Sequence, residues 1–167
     1  MQTDERRMLR RVADYQFGAG AGTALFPDGE ELTVYRTTSG RPNQVVADAG
    51  RLITYGVDGR FRLGVTGGER LQASLDAPTH RVVLGDESEP FVREGRNAFA
   101  KFVQAADDGI RPGDEVLVVH ADGPLLGVGR AELSGAGMRD FESGMAVFVR
   151  DGAGPAEEEP AAETADG

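Results

Sequence analysis

The stretch Phe91-Val92-Arg93-Glu94-Gly95-Arg96-Asn97-Ala98-Phe99-Ala100-Lys101-Phe102-Val103 interleaves cations and aromatics around a glycine. It holds the chain's single lysine; every other member of the 18 basic residues is arginine. An ammonium kept beside Arg96, Phe99 and Phe102 points to a local demand for positive charge next to stackable rings. A phosphate backbone with unstacked bases makes that demand. The competing reading puts Phe99 and Phe102 in a core and leaves Lys101 as a solvated strand residue.

Further segments follow in order. Ile110-Arg111-Pro112-Gly113-Asp114 reads as a turn, and Val116-Leu117-Val118-Val119 as a nearly continuous apolar strand. Then come Leu125-Leu126-Gly127-Val128-Gly129-Arg130-Ala131, a short segment around Met138, and Gly144-Met145-Ala146-Val147-Phe148-Val149-Arg150. This succession resembles the PUA domain, a small RNA-binding pseudobarrel. Gly95-Arg96-Asn97 with Phe99-Ala100-Lys101-Phe102 is similar to the PUA domain that ends archaeosine tRNA-guanine transglycosylases. Ala13-Asp14-Tyr15-Gln16-Phe17-Gly18 resembles the start of the small domain that precedes PUA in those enzymes. The resemblance covers residues 6 to 151. It departs from the family pattern at Ala98, which is smaller than the apolar residue expected there, and at His120, where a carboxylate is commoner.

Composition bounds the function. The 167 residues suffice for one average domain or two small ones, and 40% hydrophobic content can fill a core. No apolar run approaches the roughly 18 residues that cross a bilayer, and Met1-Gln2-Thr3-Asp4-Glu5 lacks the basic-then-apolar order of a signal peptide. A cytoplasmic location away from membranes is expected. With no cysteine, disulfides and thiolate metal sites are excluded, including the cysteine-rich zinc site of a transglycosylase barrel. The expected unit is therefore the accessory domains without that barrel. Net charge is -10, but Asp151, Glu157, Glu158, Glu159, Glu163 and Asp166 place six acids in the last 17 residues and leave -4 for residues 1 to 150. Arginine in place of lysine, with an acidic excess, is the composition associated with salt-loving archaea.

Thr3 is placed to cap a helix whose first turn carries Asp4 and Glu5 near the positive helix end. Met8, Leu9, Val12 and Tyr15 share one face, and Arg7, Arg10, Arg11 and Asp14 the other, where arginine pairing with Asp14 is expected. Gly18 ends the helix. Because Gly18-Ala19-Gly20-Ala21-Gly22 follows a helix and not a strand, it reads as a C-cap and close turn, not a phosphate loop. Strands over 32–35, 44–47, 51–55 and 60–65 form an antiparallel meander, and Thr66 is placed to cap a helix over 67–75. A strand over 80–84 opens a second unit, and Ser88-Glu89-Pro90 starts a short helix that ends at Gly95. Later strands pair across Asp122-Gly123. The expected fold class is α+β, with a small helix-plus-antiparallel-sheet unit over residues 1–79 followed by a PUA-like β pseudobarrel over 80–151. Residues 152–167 are expected to form a disordered acidic tail.

Little in the chain points to catalysis. His80 and His120 each sit at a strand end and read as structural. Asp107-Asp108 and Asp114-Glu115 lie beside glycines, where turn bonding explains them. With no metal-ligand spacing, serine elbow or Walker loop, no cofactor, metal or enzymatic activity is expected. The resemblance instead implies an RNA groove formed by Arg93, Gly95, Arg96, Asn97, Phe99, Lys101 and Phe102, taking the acceptor stem and 3′ end of tRNA. Arg96 suits a bidentate phosphate clamp, Lys101 a point charge, and Asn97 offers donor and acceptor. If the segment is a strand, alternation puts Phe99 and Lys101 on one face and Phe102 on the other, so either ring can be the stacking one, and Phe99 is favoured. The resulting expectation is a non-catalytic tRNA-binding protein of the archaeosine pathway. The competing class is a protein-interaction subunit of a tRNA-modifying enzyme with little RNA affinity, docking through the arginine helix face or the apolar sheet.

Overall fold

The computed structural model describes residues 1–156. It opens with helix α1 (Thr3–Phe17), whose cap residue is Gln2, not Thr3, and which ends at Gly18 with φ 112°. Its buried stripe is Leu9, Ala13 and Phe17, while Met8 is exposed and Tyr15 is 93% exposed. The expected apolar face is therefore rotated: helix α2 (Ala21–Leu25) packs against α1, and Ala21 and Leu25 share one core with Leu9, Ala13 and Phe17. Within the glycine run, Gly22 lies against the backbone of Arg10, where any Cβ would collide. Asp14 accepts the Gly22 N–H at 2.7 Å instead of pairing with arginines. Arg10 donates from Nε to the Phe26 carbonyl at 2.7 Å, and Arg6 from Nη2 to the Glu30 carbonyl at 2.9 Å. Arg10 of the arginine face, and Arg6 beside it, thus satisfy loop carbonyls, while Arg7 and Arg11 remain exposed.

Strands β1 (Thr33–Arg36), β2 (Pro42–Ala47), β3 (Gly50–Tyr55) and β4 (Phe61–Leu63) form the expected antiparallel meander, in that order. Helix α3 (Val65–Ser74) follows, capped by Gly64 and not by Thr66. The second unit contains β5 (Arg81–Leu84), α4 (Glu89–Arg93), β6 (Ala98–Phe99), β7 (Val103–Ala106), β8 (Glu115–His120), β9 (Leu125–Ala131), α5 (Gly135–Asp140) and β10 (Met145–Gly152). Its sheet runs β6-β10-β9-β8-β5-β7, antiparallel except for the parallel β5–β8 pair. This is the mixed α+β architecture expected, ending in a near-closed PUA-like sheet.

All six residues of β8 are buried, and alternate side chains enter different cores. Leu117 and Val119 join the core of the first unit with Leu9, Phe26, Ile53 and Phe61. Val116 and Val118 join the second core with Val82, Leu126, Met138 and Val147. That explains why the strand is apolar at every position and not only at alternate ones. The junction is also pinned by Glu115, 6% exposed, which accepts the Leu63 N–H at 2.8 Å and is paired with Arg150. Arg150 in turn reaches the Leu63 carbonyl at 2.8 Å. Glu115 is therefore a buried cross-domain acceptor, where turn bonding was expected.

Strand β10 runs through Gly152, and Ala153 and Gly154 stay bonded to Leu126 and Arg93. The first residues assigned to a tail thus belong to the fold, and the remainder, residues 157–167, lies outside the described residues.

Leu117→Ala removes a fully buried side chain from the shared wall and should cost about 2–5 kcal/mol in urea denaturation. The unfolding should remain a single transition; two separated transitions would show that the units fold independently. Arg70 donates to both oxygens of Glu30, at 2.6 and 2.7 Å, and holds that carboxyl below its ordinary value near 4.5. A lowered folded-state pKa contributes stability above the ordinary value and loses it on acidification. Glu30→Gln should therefore lower the thermal midpoint at neutral pH, and the difference from the parent should shrink as pH falls below about 4.5.

Candidate nucleic-acid interface

Helix α4 begins at Glu89 with Pro90 in its first turn and closes where the Gly95 N–H bonds the Val92 carbonyl at 2.9 Å. Gly95 has φ 94°, a left-handed conformation that a side chain would strain. The chain then turns back, with the Arg96 N–H on the Phe91 carbonyl at 3.0 Å, and enters β6 beside β10. Two expected site residues serve this turn. Asn97 Oδ1 accepts the Val149 N–H at 2.9 Å, which ties the turn to β10. Arg93, 13% exposed in its side chain, donates to Glu89 at 2.9 Å and to the Gly154 carbonyl at 3.2 Å. Arg93 thus supports the wall of the cleft and does not face into it.

Strand β6 stops at Phe99, and Ala100–Phe102 form a 3₁₀ turn. Alternation accordingly ends before Lys101, which corrects the expectation of opposite faces for Lys101 and Phe102. Phe99 is exposed, as favoured, whereas Phe102 is half-buried against the second core. Both rings line one cleft of about 350 Å³, together with Phe91, Arg96, Asn97 and Ser88. Ala98 is buried, and its small side chain faces the core beneath this cleft. Arg96 is exposed and lies 5.9 Å from the Phe91 ring, while the Lys101 ammonium lies 5.0 Å from the Phe102 ring. Phe91 is a lining residue that the sequence reading left in the helix. Its position five residues before Arg96 gave no helical or strand periodicity to reveal it.

Arg96 and Lys101 do not share the cleft. Lys101 lines an adjoining depression with Asp86 and Glu87, and Phe102 and Ser88 stand between the two. The local charge is close to balanced, because Glu94 lies 3.7 Å from Arg96 and Glu87 lines both hollows.

Both histidines are held structurally. His80 Nε2 meets the Phe17 carbonyl at 2.7 Å, and its ring packs edge-on against Phe17. His120 Nδ1 accepts the Asp122 N–H at 2.9 Å, so Nε2 carries the proton and donates to Asp86 at 2.6 Å. Asp86, Glu89 and His120 bring potential metal-ligand atoms within 4.8 Å of one another. The Asp122 and Arg93 bonds account for His120 and Glu89 as a hydrogen-bond network. Asp107 accepts the Gly109 N–H at 2.9 Å, as the turn reading required, and also the His80 N–H at 2.8 Å, a bond between distant segments.

Residues 7–78 match the patch-forming domain C2 of tRNA-guanine transglycosylase, and residues 80–153 match the PUA domain. The chain is a PUA-domain protein with a C2-type domain ahead of it. Its two domains, in this order, resemble the C-terminal accessory part of archaeal tRNA-guanine transglycosylases. It is 46% identical over 147 residues to the tRNA-guanine(15) transglycosylase of Pyrococcus abyssi, a match covering 87% of this chain and 24% of that protein. The corresponding enzyme of Pyrococcus furiosus is 48% identical over 145 residues, covering 86% and 24%. The chain therefore spans about a quarter of the length of these relatives. Among solved structures, a hypothetical protein from Pyrococcus horikoshii OT3 aligns with a TM-score of 0.72 at 21% identity, covering 98% of this chain and 96% of that one. A conserved PUA domain protein from Thermoplasma acidophilum aligns at 0.63 and 20% identity, covering 91% and 90%. These likenesses establish a shared fold. No helix among the described residues is long and apolar enough to cross a membrane.

Phe99→Ala should change folding stability by less than about 1 kcal/mol, since the residue is 45% exposed and lies outside both core clusters. Phe102→Ala, which removes a half-buried ring, should cost about 1–3 kcal/mol in the same denaturation assay.

Proposed function

We propose that this chain is a non-catalytic RNA-binding protein that takes tRNA and serves tRNA modification in the archaeosine pathway. The observation that carries this reading is the cleft beside the Gly95 turn, where Phe91, Phe99 and Phe102 offer ring faces and Arg96 offers an unburied guanidinium. Exposed rings in a concave site suit unpaired bases, each base–aromatic stack contributing about 1–3 kcal/mol. A single-stranded end such as the 3′ terminus of tRNA presents bases in that form, and Arg96 and Lys101 flank the rings as phosphate contacts. Kinship with the C-terminal part of enzymes named for acting on tRNA supports the choice of tRNA and a tRNA-modifying enzyme as partners. An acidic, lysine-poor surface supports a salt-rich cytoplasm as the working environment.

The nearly balanced charge of the cleft favours one alternative, an interaction subunit that docks on a tRNA-modifying enzyme and contributes little RNA affinity. Titration of fluorescent tRNA across a salt series separates the two. RNA binding should weaken with salt at a log-log slope of about -0.7 to -0.9 per phosphate contact. Arg96→Ala with Lys101→Ala should cost about 2–3 kcal/mol of affinity, and Phe99→Ala about 1–3 kcal/mol. No binding by the parent protein at any salt compatible with folding would reject the RNA reading in favour of the interaction subunit.

A further inference from the structure

Charge is unevenly divided in this chain between one segment and one surface. Glu157, Glu158, Glu159, Glu163 and Asp166 put five carboxylates into residues 157–167, which hold no cation and no apolar side chain larger than Pro160. With so little to bury, any attachment of this segment to the fold has to be electrostatic. Where the two units meet, two depressions of about 140 and 820 Å³ share Gln16, Asp58 and Arg60. They are lined by Arg11, Arg60, Arg62, Arg111, Arg130 and Arg150. Only Asp58, Asp114 and Glu115 line them as carboxylates, so guanidinium groups are in excess there.

The pairing within this seam divides its arginines into two kinds. Arg150 is bound to buried Glu115 and to the Leu63 carbonyl, so it belongs to the domain junction. Arg60 and Arg62 meet Asp114 and Asp58 only at 3.5 Å, and Arg130 pairs with Glu132 at 3.1 Å, through side chains that are partly or half exposed. Such pairs are weak and exchange for another carboxylate. The other hollows within reach are already matched. At the cleft and the depression beside it, Arg96 lies 3.7 Å from Glu94, and Lys101 shares its wall with Asp86 and Glu87. In the hollow where the described chain ends, beside Ala153 and Ala156, Glu69 faces Arg93, which already holds Glu89 and the Gly154 carbonyl.

The segment is long enough to return to the seam. Arg150 and Ala156 are six residues apart, at most about 21 Å of chain, and the nine residues from Ala156 to Ala165 reach about 30 Å. A tether this short holds its acids near the arginines at an effective concentration of about a millimolar, so a contact too weak to form between separate molecules is populated within one. Salt sets its range, because charges act over about 10 Å at 0.1 M and about 3 Å at 1 M.

We infer that residues 157–167 are an internal polyanion that occupies the arginine-lined seam through Arg60, Arg62 and Arg130 at low ionic strength and leaves it as salt approaches molar. The seam is thereby masked by the chain's own acids in dilute salt and opened in concentrated salt. This gate goes beyond the RNA reading and holds whichever anion the opened seam takes.

The chain has no cysteine, so Ala165→Cys carries a single nitroxide label and leaves every acid of the segment in place. In the full chain at about 0.1 M salt, the amide resonances of Gly59, Gly113 and Phe148 at the seam should lose about half or more of their intensity, and at about 1 M they should recover. Those of Gly95 and Phe99 at the cleft should be unaffected. Neutralising the segment, by Glu157→Gln, Glu158→Gln, Glu159→Gln, Glu163→Gln and Asp166→Asn, should restore the seam signals at low salt. Arg62→Gln/Arg130→Gln should do the same, whereas Arg62→Lys/Arg130→Lys should keep the loss. Unchanged thermal midpoints show that the arginine variants fold, and the neutralised segment tests the same contact without altering the seam. Full intensity at the seam in low salt, a loss confined to the cleft, or a loss that survives both neutralisations would each overturn the inference. An equal loss in chains without the label, mixed with labelled ones, would place the contact between molecules and overturn the internal gate as well.

Discussion

Strand β8 is the wall on which everything else depends. A strand presents alternate side chains to opposite faces, so one buried on both faces must be apolar at every position and must have a packed layer on each side. Leu117 and Val119 supply part of the first unit's core, and Val116 and Val118 part of the second's. The small unit could not cover its own apolar surface without this borrowed face. The cleft beside Gly95 depends on β8 less directly, through the order β6-β10-β9-β8 that positions β10 and hence the Asn97 anchor.

The preference for arginine has a structural side as well as an electrostatic one. Arg6, Arg10, Arg41, Arg81 and Arg93 all donate to backbone carbonyls of loops or helix ends. A planar fork with five donors can satisfy two carbonyls or a carbonyl and a carboxylate at once, which an ammonium does with poorer geometry. Those arginines are consumed by the fold. Among those left with weak, exposed partners, Arg60, Arg62 and Arg130 lie at the seam between the units and Arg96 at the cleft. Charge counted along the sequence therefore says little about where an anion is attracted, because each cation has first to be sorted by what it already holds.

Much of the architecture was legible in the chain. The strand runs and the Asp58-Gly59 and Asp122-Gly123 turns located the meander and the β8–β9 hairpin, since turn chemistry and apolar runs are local properties. Gly95 marked a left-handed turn, and Phe99 the exposed ring. The failures have different origins. The partners of Glu115 lie 35 and 52 residues away, whereas Asp14 bonds Gly22 eight residues on and alternation at Phe99 ends because a 3₁₀ turn follows. Phe102, for example, could be placed across from Phe99 only while residues 98–102 were taken as one strand; a 3₁₀ turn brings both rings to the same cleft.

The sequence by itself determined the first helix, the four-strand meander, the β8–β9 hairpin and the cation–aromatic turn after α4. These follow from periodicity, glycine conformational freedom and the family pattern of residues 91–103. Only the tertiary structure decided which charges are free. Burial of Glu115 with Arg150, the coupling of Arg93 to Gly154, and the convergence of Arg62, Arg130 and Phe148 at the domain seam all arise from contacts across dozens of residues. Coulomb and hydrogen-bond partners are set by distance in space, which no local pattern along a chain encodes.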